Sequence, residues 1–482
     1  MHWRYMLYVV GILVLSFGMT MLVPLPACLA YQDGGTQALL LSLGITIVAG
    51  TCLLLAFRKA RAATITQREG MAIVAVGWTA VGIFGALPFY LSGDSWTIVD
   101  AVFESVSGFT TTGASVLADI EALPKGLLLW RSFIQWLGGM GIIVLSIAIL
   151  PFLGVGGMQL YKAEVPSPVP DKLKPRIRDT AVILWKVYAL FTVAEVILLM
   201  IGQMSFFDAL CHAMTTMPTG GFSTQNASVA QFDSLYFEIV IMLFMVLAGI
   251  NFSLHYQLMR GKPLAFWKDP ECRFYLAAIA IFTALVSWDC FGAVYATAGQ
   301  ALRYASFQVI SIITTTGYAT YDYEQWPAFS QMILLACMII GGSAGSTGGG
   351  MKCLRIMLCF KFCYQELFAM VHPHAVTTIK LGGKTVPDDV MRSILGFLAL
   401  YMGLFGISAV LLAATGVDIL TAIGAVAATI GNIGPGFGMV GPVENFAAIP
   451  AMGKWLLIWC MLLGRLEIYT LIILLVPAFY RR

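Results

Sequence analysis

The chain has 482 residues, of which 59% are Ala, Val, Ile, Leu, Met, Phe, Trp, Tyr or Cys and only 11% are charged, where a soluble globular chain carries roughly 25% Asp, Glu, Lys and Arg. Apolar runs of the ~20 residues needed to cross a hydrocarbon core recur from end to end, which excludes a soluble enzyme. The net charge is only +3, from 28 cations and 25 anions, and the cations sit in short loops between the runs, so they report topology and exclude a nucleic-acid partner.

The first run, Tyr5–Val23, spans 19 residues, longer than the roughly 7–15 of a secretory h-region. It is expected as a retained span rather than a signal peptide ending in the small residues Ala27-Cys28-Leu29-Ala30. A second run, Ala38–Phe57, is followed by the basic loop Arg58, Lys59, Arg61, Arg68, which the positive-inside rule makes cytoplasmic. The chain then repeats one pattern four times: a long apolar run, a Gly/Thr-rich stretch, and a second long apolar run. First runs start near Met71, Thr180, Phe274 and Ser393, second runs near Gly126, Leu235, Ser330 and Trp455.

Basic loops separate the repeats: Lys162, Lys172, Lys174, Arg176 and Arg178; Arg260, Lys262 and Lys268; Lys361, Lys380, Lys384 and Arg392; then the tail Arg481-Arg482. All fall on one side if each repeat crosses twice, and only Lys125, Arg131, Arg303 and Lys454 fall outside. The expected fold is thus an all-α polytopic membrane protein of ten spans with both termini cytoplasmic. It divides into 1–70 (two N-terminal helices and a basic loop), 71–150 (repeat 1), 151–270 (linker and repeat 2), 271–370 (repeat 3) and 371–482 (linker and repeat 4). Each repeat crosses an even number of times, so the four run parallel around an axis along the membrane normal. The ten cysteines are scattered without metal-site or disulfide spacing and read as packing residues, Cys359 and Cys363 included.

The stretch inside each repeat carries the chemistry. Asp100 precedes Gly113, Asp208 precedes Gly221 and Asp418 precedes Gly431, each by 13 residues. The third copy has Tyr304 in place of Asp but matches the first at Phe103/Phe307, Ser107/Ser311 and the identical tetrapeptides ending in Gly113 and Gly317. Each stretch is expected to form a short buried helix, N-capped by the Asp in three copies, with an extended return after the Gly. Non-helical backbone survives at membrane depth only where it lines water or ions. Four half-helices aim their partial negative ends at the axis, and a shared Gly lets carbonyls turn inward to replace a cation's hydration shell. Neutral oxygens suit a weakly hydrated monovalent ion, potassium first. Glu104 is the only acid between the capping positions and the glycines, so a divalent cation lacks its carboxylates.

These loops resemble the membrane subunits of the Trk/Ktr/HKT superfamily of potassium transporters, and among them the bacterial TrkH type with two extra N-terminal helices. The resemblance covers essentially the whole chain. It rests on Gly108-Phe109-Thr110-Thr111-Thr112-Gly113, Thr219-Gly220-Gly221-Phe222, Thr314-Thr315-Thr316-Gly317-Tyr318 and Ile430-Gly431-Asn432-Ile433-Gly434-Pro435-Gly436, and on a glycine-rich break in repeat 3. It implies a selectivity filter at Thr111, Thr112, Gly113, Gly220, Gly221, Thr315, Thr316, Gly317, Ile430, Gly431 and Asn432, with K+ as the transported ion. A Ser at the position of Gly113 accompanies sodium preference in this superfamily. No loop has the full TVGYG of simple potassium channels, and the second and fourth differ from the other two, so the filter is expected to be asymmetric.

The break runs from Gly341 to Gly350, and six of its ten residues are Gly, each worth about 1 kcal/mol against helix. It starts roughly 16–18 Å below Ser330, near mid-bilayer. The resemblance makes Gly341, Gly342, Ser343, Gly345, Gly348, Gly349 and Gly350 an obstruction below the filter. Arg465 lies at similar depth, where a cation normally marks a pathway or a buried partner. It is expected to oppose cations and to donate hydrogen bonds to this loop, Glu467 pointing elsewhere on the helix. Lys186, Glu195 and Asp289 are read as structural or snorkelling. Gly341-Gly342-Ser343-Ala344-Gly345 also fits the G-x-S-x-G elbow of a hydrolase, but none of the five His is tied to Ser343. The stretch misses a P-loop because Lys352 is late and is followed by Cys353. A symporter coupled to protons or sodium is the nearer alternative. The resemblance further implies residence in the bacterial inner membrane, a homodimer, and a cytosolic ring of nucleotide-binding subunits of TrkA type. The basic loops around Lys172–Arg178 and Lys380–Arg392 face either that ring or anionic lipid.

Overall fold

An apolar chain in lipid must satisfy its own backbone, and helix is the economical way to do so. The computed structural model, which describes residues 2–60, 66–93, 95–148, 177–375 and 377–479, is accordingly helical, with a single ribbon pairing Lys380–Leu381 with Lys384–Thr385 among the described residues. Arg61, Lys162, Lys172, Lys174, Arg176 and Arg481-Arg482 lie outside those residues, as does the side chain of Arg178.

Among the described residues, six helices are long and apolar enough to cross a bilayer: Trp3–Tyr31, Gly35–Phe57, Arg68–Tyr90, Ala181–Ile201, Pro270–Cys290 and Asp388–Ala413. Two more spans exist only as bent pairs: Leu235–Ala248 turns by 101° into Phe252–Met259, and Ala451–Arg465 turns by 112° into Tyr469–Leu475. The remaining pair of expected spans are Lys125–Ala148 and Ala328–Ile340, the latter resuming past the glycine-rich break as Cys353–Val371. Sequence predicted a break in repeat 3 alone; the second long helix of repeats 2, 3 and 4 is broken in each case.

The N-terminal run is an integral helix. Its Gly11 packs against Gly50 and Gly18 against Thr46 of the neighbouring helix, so closely that a Cβ on Gly50 would lie 2.7 Å from the Leu15 amide nitrogen. Further along, Phe17 sets its ring against Phe109 and Trp130, with centroids 5.2 and 5.6 Å away, so the extra helices pack directly on repeat 1. All ten cysteines are free; seven are buried, as packing residues should be, whereas Cys52 and Cys363 are exposed and Cys359 is half-buried.

The four short helices are Ile98–Phe109, Phe206–Thr216, Ala298–Ile313 and Ile419–Ile430. Their caps correct the predicted register. Only Asp418 is an N-cap; the other caps are Thr97, Ser205 and Thr297. Asp100 and Asp208 sit one turn inside, where their amides donate to Thr97 Oγ1 and Ser205 Oγ, both at 3.1 Å. The first two caps are therefore Thr/Ser-x-x-Asp boxes, and Asp418 corresponds to Thr97 and Ser205 rather than to the two aspartates.

Candidate functional site

The corrected caps shift the fourth loop by three residues. Two residues per loop have positive φ: Thr111 (51°) and Gly113 (81°), Thr219 (56°) and Gly221 (73°), Thr315 (62°) and Gly317 (82°), Asn432 (54°) and Gly434 (105°). Gly431, expected to match Gly113, is instead the right-handed C-cap of its helix at φ −79°, preceded by Ile430, the last residue of that helix. The residues matching Thr112 and Gly113 are Ile433 and Gly434, which sequence reading missed. One hydrogen bond fixes the equivalence four times over: the amides of Thr112, Gly220, Thr316 and Ile433 donate to the carbonyls of Ser107, Thr215, Ser311 and Ala428 at 2.8, 2.8, 2.9 and 2.8 Å. Counting from the caps Thr97, Ser205 and Asp418 would have revealed the register, because each precedes its left-handed Gly by the same interval.

The four loops close on one another. A Cβ on Gly113 would overlap the Gly220 carbonyl oxygen, one on Gly221 the Thr316 oxygen, and one on Gly317 the Ile433 oxygen; one on Gly434 would lie 2.8 Å from the Thr112 oxygen. Each glycine thus abuts the carbonyl that precedes the glycine of the next loop, and the fourth returns to the first. This cycle places the carbonyls of Thr112, Gly220, Thr316 and Ile433 around a common axis. Gly113, Gly221, Gly317 and Gly434 all line one cavity on the return side of this ring.

Side chains behind the loops hold them. Ser107 Oγ and Ser311 Oγ donate to the carbonyls of Ala114 and Tyr318 at 2.5 and 2.7 Å, and hydroxyl pairs join Thr110 to Thr112 and Thr314 to Thr316 at 2.7 and 2.8 Å. Asn432 Nδ2 bridges Thr112 Oγ1 at 2.9 Å and the Met461 carbonyl at 3.0 Å, so it ties loop 1 to the last repeat. Glu104 and Arg131, fully buried, pair at 2.6 Å; Glu104 also accepts from Ser115 Oγ and the Val116 amide, while Arg131 donates to the Ser223 carbonyl at 2.9 Å. The pair therefore joins loops 1 and 2, a role neither residue signalled in the sequence. Arg303 and Lys454, two more of the cations outside the basic loops, pair with Glu238 and Asp100 at 2.7 and 2.6 Å. In the loops above the cavity, Asn226 hydrogen-bonds Asp119 and holds its carboxyl below the usual range. Burial raises Glu324, which accepts from the Gly438 amide at 2.5 Å.

Beneath the ring lies Gly341–Gly350, buried except at Gly345 and Gly350. Its amides and hydroxyl meet carbonyls left free at helix ends: Ser343 N–H donates to Gly249 at 2.9 Å, and Thr347 Oγ1 to Ala248 at 3.2 Å and to Met217, the C-cap of the second short helix, at 2.9 Å. The Gly349 amide donates to Thr315 Oγ1 at 2.6 Å, and a Cβ there would overlap the Gly431 carbonyl oxygen, while one on Gly348 would stand 3.1 Å from the Thr314 oxygen. The loop is thus wedged under the C-terminal ends of the second, third and fourth short helices. Arg465 Nη1 donates to the Thr347 carbonyl at 2.7 Å, and Lys352 Nζ donates to that of Gly348. Glu467 pairs with Arg355 at 2.5 Å. Buried Glu271 accepts from the amides of Ala344 and Leu354 at 2.6 and 3.1 Å and so ties the loop to the start of the helix Cys353–Val371 that follows it; it too went unread in the sequence. Ser343 Oγ has no hydrogen-bond partner among the described residues, and none of the described histidines bonds to it.

Three acidic or basic residues in spans are now placed. Asp289 accepts from Ser330 N–H and Oγ at 3.1 and 2.6 Å, in the first turn of Ala328–Ile340. Lys186 is exposed on its helix. Glu195 does not snorkel: it is fully buried, and neither carboxylate oxygen has a hydrogen-bond partner among the described residues.

A buried ion pair broken on one side leaves the other charge stranded, at about 3–5 kcal/mol. Glu104→Gln is therefore expected to lower the thermal midpoint of the purified protein sharply, and Glu104→Met combined with Arg131→Met to recover most of that loss. Equal instability in the single and double variants would show that charge compensation is not what the pair supplies.

Comparison with known proteins agrees with this architecture. The family profile described as "TrkH: Cation transport protein" matches residues 35–479. Over their full lengths the chain is 44% identical to the Trk system potassium uptake protein TrkH of Escherichia coli (strain K12) and 43% identical to that of Halomonas elongata. It is 36% identical to the Trk system potassium uptake protein TrkG of Escherichia coli, covering 100% of this chain and 99% of the other. The crystal structure of the potassium transporter TrkH from Vibrio parahaemolyticus superposes with a TM-score of 0.91 at 39% identity, with 100% of both chains covered. Four cyclically joined loops on one chain, with two helices ahead of them and a full-length match to each of these proteins, make this chain a member of the TrkH family of cation transport proteins.

Proposed function

We propose that the chain mediates potassium uptake across the bacterial cytoplasmic membrane through a channel-like pore on the axis of the four loops. One observation carries this reading: the closed cycle of left-handed glycines against neighbouring carbonyls, which brings four neutral oxygens together beside a cavity that the four glycines line. Such oxygens replace the hydration shell of a monovalent cation. The relatives are named as potassium uptake proteins, which selects the ion. Each unit, 71–150, 151–270, 271–370 and 371–482, contributes one loop, and residues 1–70 support the first. The fourth loop takes part through Asn432, Ile433 and Gly434, with Ile430 and Gly431 as its base.

In this reading Gly341–Gly350 is the gate, and Arg465 holds it shut by donating to Thr347 while its charge opposes cations near mid-membrane. The basic loops face the cytoplasm, where a nucleotide-binding subunit acts on the gate. Phe360, Tyr364, Leu367 and Val371 stand exposed at helical spacing on Cys353–Val371, a face we assign to the second copy of a homodimer. Tyr364→Arg should then convert the purified dimer to a monomer in light scattering, and an unchanged mass would assign that face to lipid.

Replacing Gly113 with Ser forces a side chain into the space of the Gly220 carbonyl at a left-handed backbone position. Potassium flux should fall relative to sodium flux; an unchanged ratio in a well-expressed variant refutes the filter assignment. Arg465→Ala, or deletion of several loop glycines, should raise potassium flux into proteoliposomes lacking the regulatory subunit, about tenfold if a single charge-assisted hydrogen bond of ~1.5 kcal/mol holds the closed state. Variants no leakier than the parent would move the gate elsewhere. A hydrolase acting through Ser343 predicts the reverse pattern, with Ser343→Ala inactive and the deletion without leak.

A further inference from the structure

The four ring carbonyls are not alike. Among the described residues, none of the hydrogen bonds present reaches the oxygens of Thr112, Thr316 or Ile433, whereas the Gly220 oxygen accepts from Gln135 Nε2 at 2.7 Å. The same amide accepts, through Oε1, from the Phe222 N–H at 3.2 Å. Gln135 thus spans the left-handed Gly221 from both sides, as a neighbouring strand would. It is fully buried, on Lys125–Ala148 of repeat 1, one turn beyond Arg131, which holds Ser223 of the same loop.

This contact also explains why loop 2 has Gly where the others have Thr112, Thr316 and Ile433. A Cβ on Gly220 would lie 2.5 Å from both Cδ and Oε1 of Gln135. The amide occupies the space that a side chain fills in the other three loops, so loop 2 borrows from repeat 1 the support that loops 1 and 3 draw from their own hydroxyl pairs.

We propose that Gln135 is a positioning residue for ion selectivity: its amide fixes the Gly220 carbonyl and weakens the field this oxygen presents to the axis. This rests on the reading of the ring as the filter. A carbonyl oxygen has two lone pairs, so one engaged by an N–H leaves the other for a cation. The donor's partial positive charge lowers the field strength of that oxygen, and lower field favours the larger, more weakly hydrated potassium over sodium. The fixed orientation keeps the oxygen from collapsing onto a smaller ion.

The test measures potassium, rubidium and sodium fluxes side by side in full-length protein reconstituted at equal amounts. Gln135→Met preserves length and removes the donor. The potassium-to-sodium ratio should fall about fivefold, the factor that corresponds to one net hydrogen bond of ~1 kcal/mol. A role in folding alone would lower total flux and leave the ratio unchanged, which overturns the proposal. Gly113→Ser in the same assay separates the two readings: if it shifts the ratio and Gln135→Met does not, Gln135 alone is misassigned, whereas if neither shifts it, the filter reading falls as well. Folded yield gives an independent arm. Gly220→Ala should be severely defective alone and largely rescued by Gln135→Ala, which vacates the space; equal defects in both backgrounds would overturn the exchange of side chain for amide.

Discussion

Every departure from helix at membrane depth exposes amides and carbonyls that lipid cannot satisfy, at several kcal/mol each. The molecule meets this constraint by bringing its irregular segments together. The four returning loops lean on one another in a cycle, and the glycine loop lies where the broken helices of repeats 2 and 4 end. The carbonyls released at Ala248 and Gly249 are taken up by Thr347 and Ser343, and Thr347's own carbonyl is taken up by Arg465 at the end of the other broken helix. Neither the breaks nor the loop would be tolerable alone. Their mutual satisfaction holds the glycine loop in place between the two broken helices.

Charge follows the same economy. Arg131, Arg303 and Lys454 look out of place in a count of cations per loop, yet each sits against a carboxylate from another segment. These pairs join elements far apart in the chain, Lys454 to Asp100 across 354 residues. Arg303–Glu238 joins repeat 3 to repeat 2 and Lys454–Asp100 joins repeat 4 to repeat 1, while Arg131–Glu104 braces repeat 1 itself.

Much of this was legible in the sequence because it depends on period and composition. Runs of span length, the four-fold recurrence, the matching tetrapeptides before Gly113 and Gly317, and six glycines in ten residues are countable. What was not legible depends on geometry that composition does not encode. Counting back from Gly431 aligned three aspartates that do not have the same role, since a Thr/Ser-x-x-Asp box puts Asp one turn inside the helix while Asp418 is itself the cap. The breaks after Ala248 and Arg465 went unseen because Gly249-Ile250-Asn251 and Leu466-Glu467-Ile468 are too short to disturb an apolar average; Asn251, capping the next helix through its side chain, was the readable clue. Glu104, Glu271 and Gln135 act through partners tens of residues away, and no spacing rule reaches that far.

The cycle of loops is built from a single chain, and this changes what one codon can do. In a pore assembled from four identical subunits, any substitution near the axis appears four times, so small steps are unavailable and most are ruinous. Here each quarter is written separately, and the quarters have already diverged: a threonine pair in two, a borrowed amide in the second, Ile433 with a bridging Asn432 in the fourth. A single substitution therefore alters one quarter of the ring and leaves the other three as they are, a graded change that a symmetric tetramer has no means to make.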